Sequence, residues 1–270
     1  MYSMTSEVTN SVTSVAKSAL VISLCYRGQD NYVKCEGTLK DVDIIKGLLL
    51  NKLGFNEDEI KVLTEAEATK ANFVKAINDM ITENAKINFV YFVGHGYSVE
   101  NTNKGDNDRE TNDSGIVLWD GYMVDDDLCK LVAGFGKKTK NLFMFAECYS
   151  GGVLDLKFAF DIDASDESCE RMTCERMKKI RDVKSRSVLI SAVDSSQVSW
   201  VTEQGTYFAR GLEKVMNASE FGRGDFLTFG DLMQELEDYC PKQHSSLSAS
   251  FMLDRDDLLY GNRNFTWTKT

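Results

Sequence analysis

Four short, predominantly apolar stretches set the terms on which this chain can fold: ALVISLC at 19–25, INFVYFV at 87–93, NLFMFAEC at 141–148 and SVLISAV at 187–193. None alternates cleanly between apolar and polar residues. Such runs suit strands buried on both faces, which is the habit of a parallel sheet covered by helices on each side. The intervening segments supply the helices. Val42, Ile45, Leu48, Leu49 and Leu53 recur at steps of three or four and are closed by Gly54, a C-cap candidate; Phe73, Ile77, Met80 and Ile81 do the same over 69–84. A further strand is expected at 60–64 and a short hairpin at 115–121, followed by a helix from Asp125 to Val132. Later helices are expected from Thr206 to Met216 and from Thr228 on Leu232, Leu236 and Tyr239, with a last strand in 248–253. The polar stretch 97–114 and the charged stretch 156–186 read as loops, the latter with a helical turn or two. Strands alternating with helices predict an α/β fold: a central, mostly parallel sheet with helices on both faces, in three layers.

The 270 residues suit one such domain, and 43% hydrophobic residues give it enough apolar surface for a core. A formal net charge of -11 repels phosphate backbones and argues against nucleic acid as a partner. No run reaches the roughly 18 apolar residues of a membrane span, and residues 1–18 lack the apolar centre of a signal peptide. Seven cysteines, an odd number without short-spaced pairing, read as free thiols of a reducing compartment rather than a disulfide framework or a zinc site. A cytoplasmic protein with no membrane partner is therefore expected.

Of the two histidines, His95 stands between Gly94 and Gly96 at the end of one apolar run. Cys148 ends another and is followed closely by Gly151 and Gly152. Strand ends of open α/β sheets line the ligand crevice, and flanking glycines let backbone approach a substrate closely. The interval from 95 to 148 is 53 residues, close to the spacing of about 50 between a caspase histidine and its later cysteine. An imidazole beside a thiol can generate the thiolate nucleophile and protonate a leaving amine. Taken singly, Cys148 reads equally as a core thiol and His95 as a turn residue; together with the glycines they read as a Cys–His dyad.

Phe92-Val93-Gly94-His95-Gly96 resembles the histidine motif of caspases and metacaspases, and Glu147-Cys148-Tyr149-Ser150-Gly151 the metacaspase cysteine motif. Gly37-Thr38 and Lys40-Asp41-Val42 resemble the first helix of that family. Ser187–Asp194 with Gly205-Thr206-Tyr207-Phe208 resembles its small-subunit part, and 243–250 its last core strand. The likeness covers 19–255, divided into a large-subunit part (19–155), a connecting loop (156–186) and a small-subunit part (187–255), with terminal segments 1–18 and 256–270. It implies a caspase-like fold and hydrolysis of peptide bonds in protein or peptide substrates. The route would be a thioester acyl-enzyme, with Cys148 as nucleophile, His95 as acid–base, and the backbone N–H groups of Gly96 and Cys148 holding the oxyanion. Metacaspases are expected to act as monomers, whereas caspases dimerise through the edge of the small subunit. A legumain-like peptidase of related fold, or a caspase-fold interaction protein without activity, are the alternatives. The short chain favours the metacaspase over the first, and retention of both Cys and His argues against the second.

The resemblance also implies cleavage after Arg or Lys, yet two of the pocket positions are Val93 and Ala146 where the family carries polar or acidic groups; only Asp41 matches a pocket acid. Alternation along a strand puts Glu147 on the side opposite Cys148, so it does not replace the missing acid. Asp125-Asp126-Asp127 resembles the acidic stretch at which calcium-dependent metacaspases bind their ion, with Asp155 at a second ligand position and Asp106 or Asp108 as a further donor. Carboxylates of this kind suit calcium, although Asp is also favoured at helix N-termini for capping and dipole reasons. No organic cofactor is expected. The Lys- and Arg-rich part of the connecting loop, 171–186, is where self-cleavage is expected.

Overall fold

The computed structural model describes residues 15–100, 112–148, 150–162, 172–176, 183–194, 196–218, 227–261 and 264–265. The first half of the chain runs β1 (Lys17–Ser23), α1 (Thr38–Asn51), β2 (Ile60–Thr64), α2 (Lys70–Glu83), β3 (Ile87–Val93), β4 (Gly96–Glu100), β5 (Asn112–Leu118), β6 (Gly121–Val124), α3 (Asp125–Val132) and β7 (Lys140–Phe145). The second half runs β8 (Phe158–Ile162), β9 (Met172–Arg176), β10 (Arg186–Ser191), β11 (Val201–Thr202), β12 (Gly205–Thr206), α4 (Tyr207–Asn217), β13 (Leu227–Thr228), α5 (Phe229–Tyr239), β14 (Ser246–Ala249), β15 (Leu258–Gly261) and β16 (Asn264–Phe265).

Eight strands form the central sheet in the order β2-β1-β3-β7-β10-β14-β8-β9. The first five are mutually parallel; β14 turns antiparallel to β10, and β8 and β9 continue antiparallel beyond it. The apolar runs divide between two cores, as strands buried on both faces must. Ala19, Val21, Phe89, Tyr91, Leu142, Met144, Val188 and Ile190 join Ile45 and Leu49 of α1, Phe208 and Leu212 of α4, and Leu232 and Leu236 of α5. Their strand neighbours Leu20, Ile22, Val90, Phe92, Phe143, Phe145 and Leu189 join Phe73, Ile77 and Met80 of α2 and Leu128 and Val132 of α3 on the other face. Helix starts are set by side chains: Thr69, Thr206 and Thr228 accept the backbone N–H groups of Asn72, Ala209 and Asp231. Asn84, left-handed at φ 54, closes α2.

Four expectations are corrected. The charged stretch 156–186 is not simply a loop: β8 and β9 lie within it and extend the main sheet. Phe158 and Phe160, alternating with Ala159, pair with Ala249 and Leu247 of β14; the surrounding charges hide that alternation in the sequence. The polar stretch 97–114 likewise contributes β4 and the start of β5, paired antiparallel. The first strand begins at Lys17 rather than Ala19 and the last core strand ends at Ala249. Finally, the C-terminal segment 256–270, set apart from the domain in the sequence, is joined to it: β15 pairs with β13 and β16 with β15, and Leu258 and Leu259 are buried.

Candidate active site

Neighbouring parallel strands β3 and β7 end side by side, with Phe92 opposite Phe145. The chain beyond them therefore leaves the sheet at the carboxyl ends of its strands, carrying His95 and Cys148 on adjacent turns. The two turns touch. A Cβ on Gly96 would sit 1.9 Å from the Cys148 carbonyl oxygen, and one on Gly94 would sit 2.6 Å from the Tyr26 hydroxyl, so both positions require glycine. Ser191 Oγ donates to the Ser150 carbonyl at 2.9 Å, which ties the turn after Cys148 to β10.

The main chain of His95 is held from two sides. Its N–H donates to Tyr26 Oη at 2.7 Å, and its carbonyl accepts the Val117 N–H at 2.9 Å. The Tyr26 hydroxyl in turn donates to the Val117 carbonyl at 2.7 Å, and burial raises its pKa well beyond the usual phenol range. The imidazole stacks on the Tyr26 ring, centroids 4.7 Å apart. His95 Nε2 lies 2.7 Å from the Val33 carbonyl oxygen. A carbonyl can only accept, so the proton resides on Nε2 and Nδ1 is left as the basic nitrogen. Cys35 Sγ also lies against the ring, 3.6 Å from Nε2.

Cys148 Sγ accepts the Ser199 N–H at 3.4 Å. Burial lifts the thiol above its ordinary pKa of 9.0, the Ser199 N–H opposes that, and the Glu147 carboxyl adds to it. The resting group is thus a thiol, and a base is needed to make it a nucleophile. Among the described residues no hydrogen bond joins Cys148 directly to His95. Both side chains border one cavity of about 100 Å³, which Val93, Ala146 and Ser199 also line. Dyad geometry in a substrate-free site is often open and tightens only around substrate.

The structure thus brings His95, Cys148, Val93 and Ala146 to one cavity. Asp41 is not among the residues lining the cavity. It is fully buried behind Thr206, where Oδ2 accepts the Tyr91 hydroxyl at 2.5 Å and Thr206 Oγ1 at 2.7 Å, and Oδ1 accepts the Thr206 N–H at 2.8 Å. Burial pushes its pKa up to about 6 against the pull of these donors. Glu147, as alternation predicts, is absent from the cavity lining; it is buried, neither carboxyl oxygen has a side-chain partner among the described residues, and burial holds its pKa well above the ordinary value.

The acidic positions are less closely gathered. Asp125 begins α3 and accepts the Ser114 N–H at 3.1 Å and the Asp126 N–H at 2.6 Å. Asp155, left-handed at φ 43, accepts the Cys129 thiol of the same helix at 3.6 Å. Asp127 pairs with Lys130. No group of three or more Asp, Glu, His or Cys side chains placed to hold a metal ion occurs among the described residues, and Asp106 and Asp108 lie outside them. Sequence reasoning missed Tyr26, Cys35 and Ser199. The first two stand before the helix that carries Asp41, where Gly28 and Gly37 each follow two residues later but single out neither side chain.

The fold defined by this sheet is that of caspases. The chain aligns with the crystal structure of caspase-1 from Spodoptera frugiperda at a TM-score of 0.56 and 15% identity, over 87% of this chain and 88% of that one. It aligns with protein GSU0716 from Geobacter sulfurreducens at a TM-score of 0.68 and 19% identity, over 93% and 99%. Residues 17–157 match the family model described as the metacaspase, peptidase C14 domain, and the chain belongs to that family. Among curated relatives, metacaspase-6 of Arabidopsis thaliana is 29% identical over 149 residues, which is 52% of this chain and 40% of the relative. Metacaspase-1 of Saccharomyces cerevisiae is 26% identical over 53% of this chain and 35% of its own length. Metacaspase-2 of Trypanosoma brucei brucei is 25% identical over 78% and 65%. The match thus spans between about a third and two thirds of these relatives.

Proposed function

We propose that the chain is a cysteine endopeptidase in which Cys148 attacks the scissile carbonyl and His95 manages the protons. The observation that carries this reading is the shared cavity: a thiol and an imidazole from adjacent strand ends border one space open to a peptide. With Nε2 occupied by the Val33 carbonyl, Nδ1 takes the thiol proton as the C–S bond forms and returns it to the leaving nitrogen. It then withdraws a proton from the water that hydrolyses the thioester. The backbone N–H groups of Gly96 and Cys148, on turns that touch where Gly96 meets the Cys148 carbonyl, are the donors for the oxyanion; a well-aimed donor of this kind is worth about 3 kcal/mol. Cys148→Ala and His95→Ala should each remove peptide hydrolysis with little change in melting temperature, because both residues stand at strand ends rather than in the cores. Near-normal turnover by either variant would reject the dyad.

Calcium activation and self-processing belong to the same reading. What supports the first is that Asp155 reaches α3 through Cys129, on the helix that begins with Asp125 and Asp126. An ion drawing these carboxylates together would order the loop after the nucleophile. What supports the second is the basic stretch within 171–186; Lys178, Lys179 and Arg181 lie outside the described residues. Intact masses of active enzyme and Cys148→Ala after prolonged incubation decide it, since only the former should be cut. The preference for Arg or Lys that the resemblance implies would fall to Asp41 alone. Its burial and its three donors give that preference no support.

A further inference from the structure

The attacked carbonyl belongs to the residue whose side chain lies nearest the nucleophile, so in this site that side chain must enter the cavity that Cys148 and His95 border. Its walls are Thr38, Val93, Ala146, Trp200, Val201 and Thr206, and no carboxylate among the described residues lines it. Val93 and Ala146 occupy equivalent places, each two residues before a dyad member on adjacent strands and on the same side as it. The wall hydroxyls have their hydrogens turned elsewhere: Thr38 donates to the Leu24 and Cys35 carbonyls, and Thr206 to Asp41. Ser199 is the exception. It also lines the cavity, and its buried Oγ has no partner among the described residues.

Resting on the peptidase reading above, we propose that this site selects a small, uncharged residue, threonine or valine, on the acyl side of the cleaved bond. Size and charge both lead there. The cavity is about 100 Å³, room for a branched three-atom side chain against its apolar walls. A cation placed against Val93 and Ala146 would be buried without a counter-charge, a costly arrangement. Asp41 offers it nothing without giving up bonds to Thr206 or Tyr91. A small uncharged side chain carries no such cost, and the methyl groups of threonine or valine fill the apolar side.

The test is kcat/KM on fluorogenic peptides that differ only in this residue, measured on the full chain with and without calcium. Threonine and valine peptides should exceed arginine and lysine peptides by about tenfold or more. Val201→Asp, which places a carboxylate at a wall position that is 39% exposed and so able to remain solvated, should raise the arginine-to-valine ratio about tenfold. A wild type that favours arginine or lysine, or cuts all residues alike, overturns the proposal while leaving the peptidase reading in place. Hydrolysis of no peptide, with Cys148 also unlabelled by a peptidyl fluoromethyl ketone, overturns both.

Discussion

Glu147 carries a carboxyl group into the protein with no side-chain partner for either oxygen among the described residues, one residue before Cys148. A proton is all that makes such a group tolerable in the core. Its folded pKa is raised by burial above the ordinary 4.5, so the folded chain holds this proton more tightly than the unfolded one. Stability from this source is therefore complete below about pH 4.5 and declines as pH rises toward the folded value. Asp41 acts in the same direction, between its ordinary 3.8 and about 6. Glu147→Gln should remove the first contribution and leave the second. Urea midpoints of the variant should exceed those of the wild type by a margin that widens from pH 5 to pH 8; parallel curves would mean that Glu147 is solvated or paired. At this scale the sequence was most legible where glycine marks a constraint. His95 and Cys148 stand out because Gly94 and Gly96 permit contacts that a Cβ would forbid. The state of Asp41 was not legible, because Tyr91 and Thr206 come to it from 50 and 165 residues away.

Among the elements, α3 and the loop after Cys148 decide whether the acidic residues form a site. Millimolar calcium should raise peptide hydrolysis and the melting temperature of the Cys148→Ala protein alike, with both effects lost in Asp126→Ala and Asp155→Ala and not reproduced by magnesium. A flat response in rate and in melting temperature would leave Asp125 and Asp126 as the first turn of α3, where negative charge is favoured in any case. Strands and helices with a continuous apolar run or a threonine cap were readable from the chain. Examples are β3, whose seven residues are all buried, and α5, which follows Thr228. The hairpin of β8 and β9 was not readable, since its pairing depends on β14, which arrives more than 70 residues later in the chain and supplies the neighbours that make Phe160 a core residue. The polar side of the central strands carries register information of the same long-range kind: Asn88 donates to Asn141, which donates to Ser187, across three adjacent strands.

For the molecule as a whole, the placement of β8 and β9 bears on assembly. They cover the edge of β14, the last core strand, which is the edge a caspase-like pairing of two copies would use. A single copy is therefore proposed, and sedimentation should return the chain mass of 30.3 kDa rather than twice that. No helix among the described residues is long and apolar enough to cross a membrane. The central claim is that one thiol among seven is made a nucleophile by one imidazole, and a peptidyl fluoromethyl ketone followed by peptide mapping tests it most directly. A single adduct on Cys148, formed at least tenfold more slowly in His95→Ala, is the predicted result. Labelling of Cys35 or another cysteine in place of Cys148, or labelling of Cys148 at an unchanged rate without His95, would contradict it.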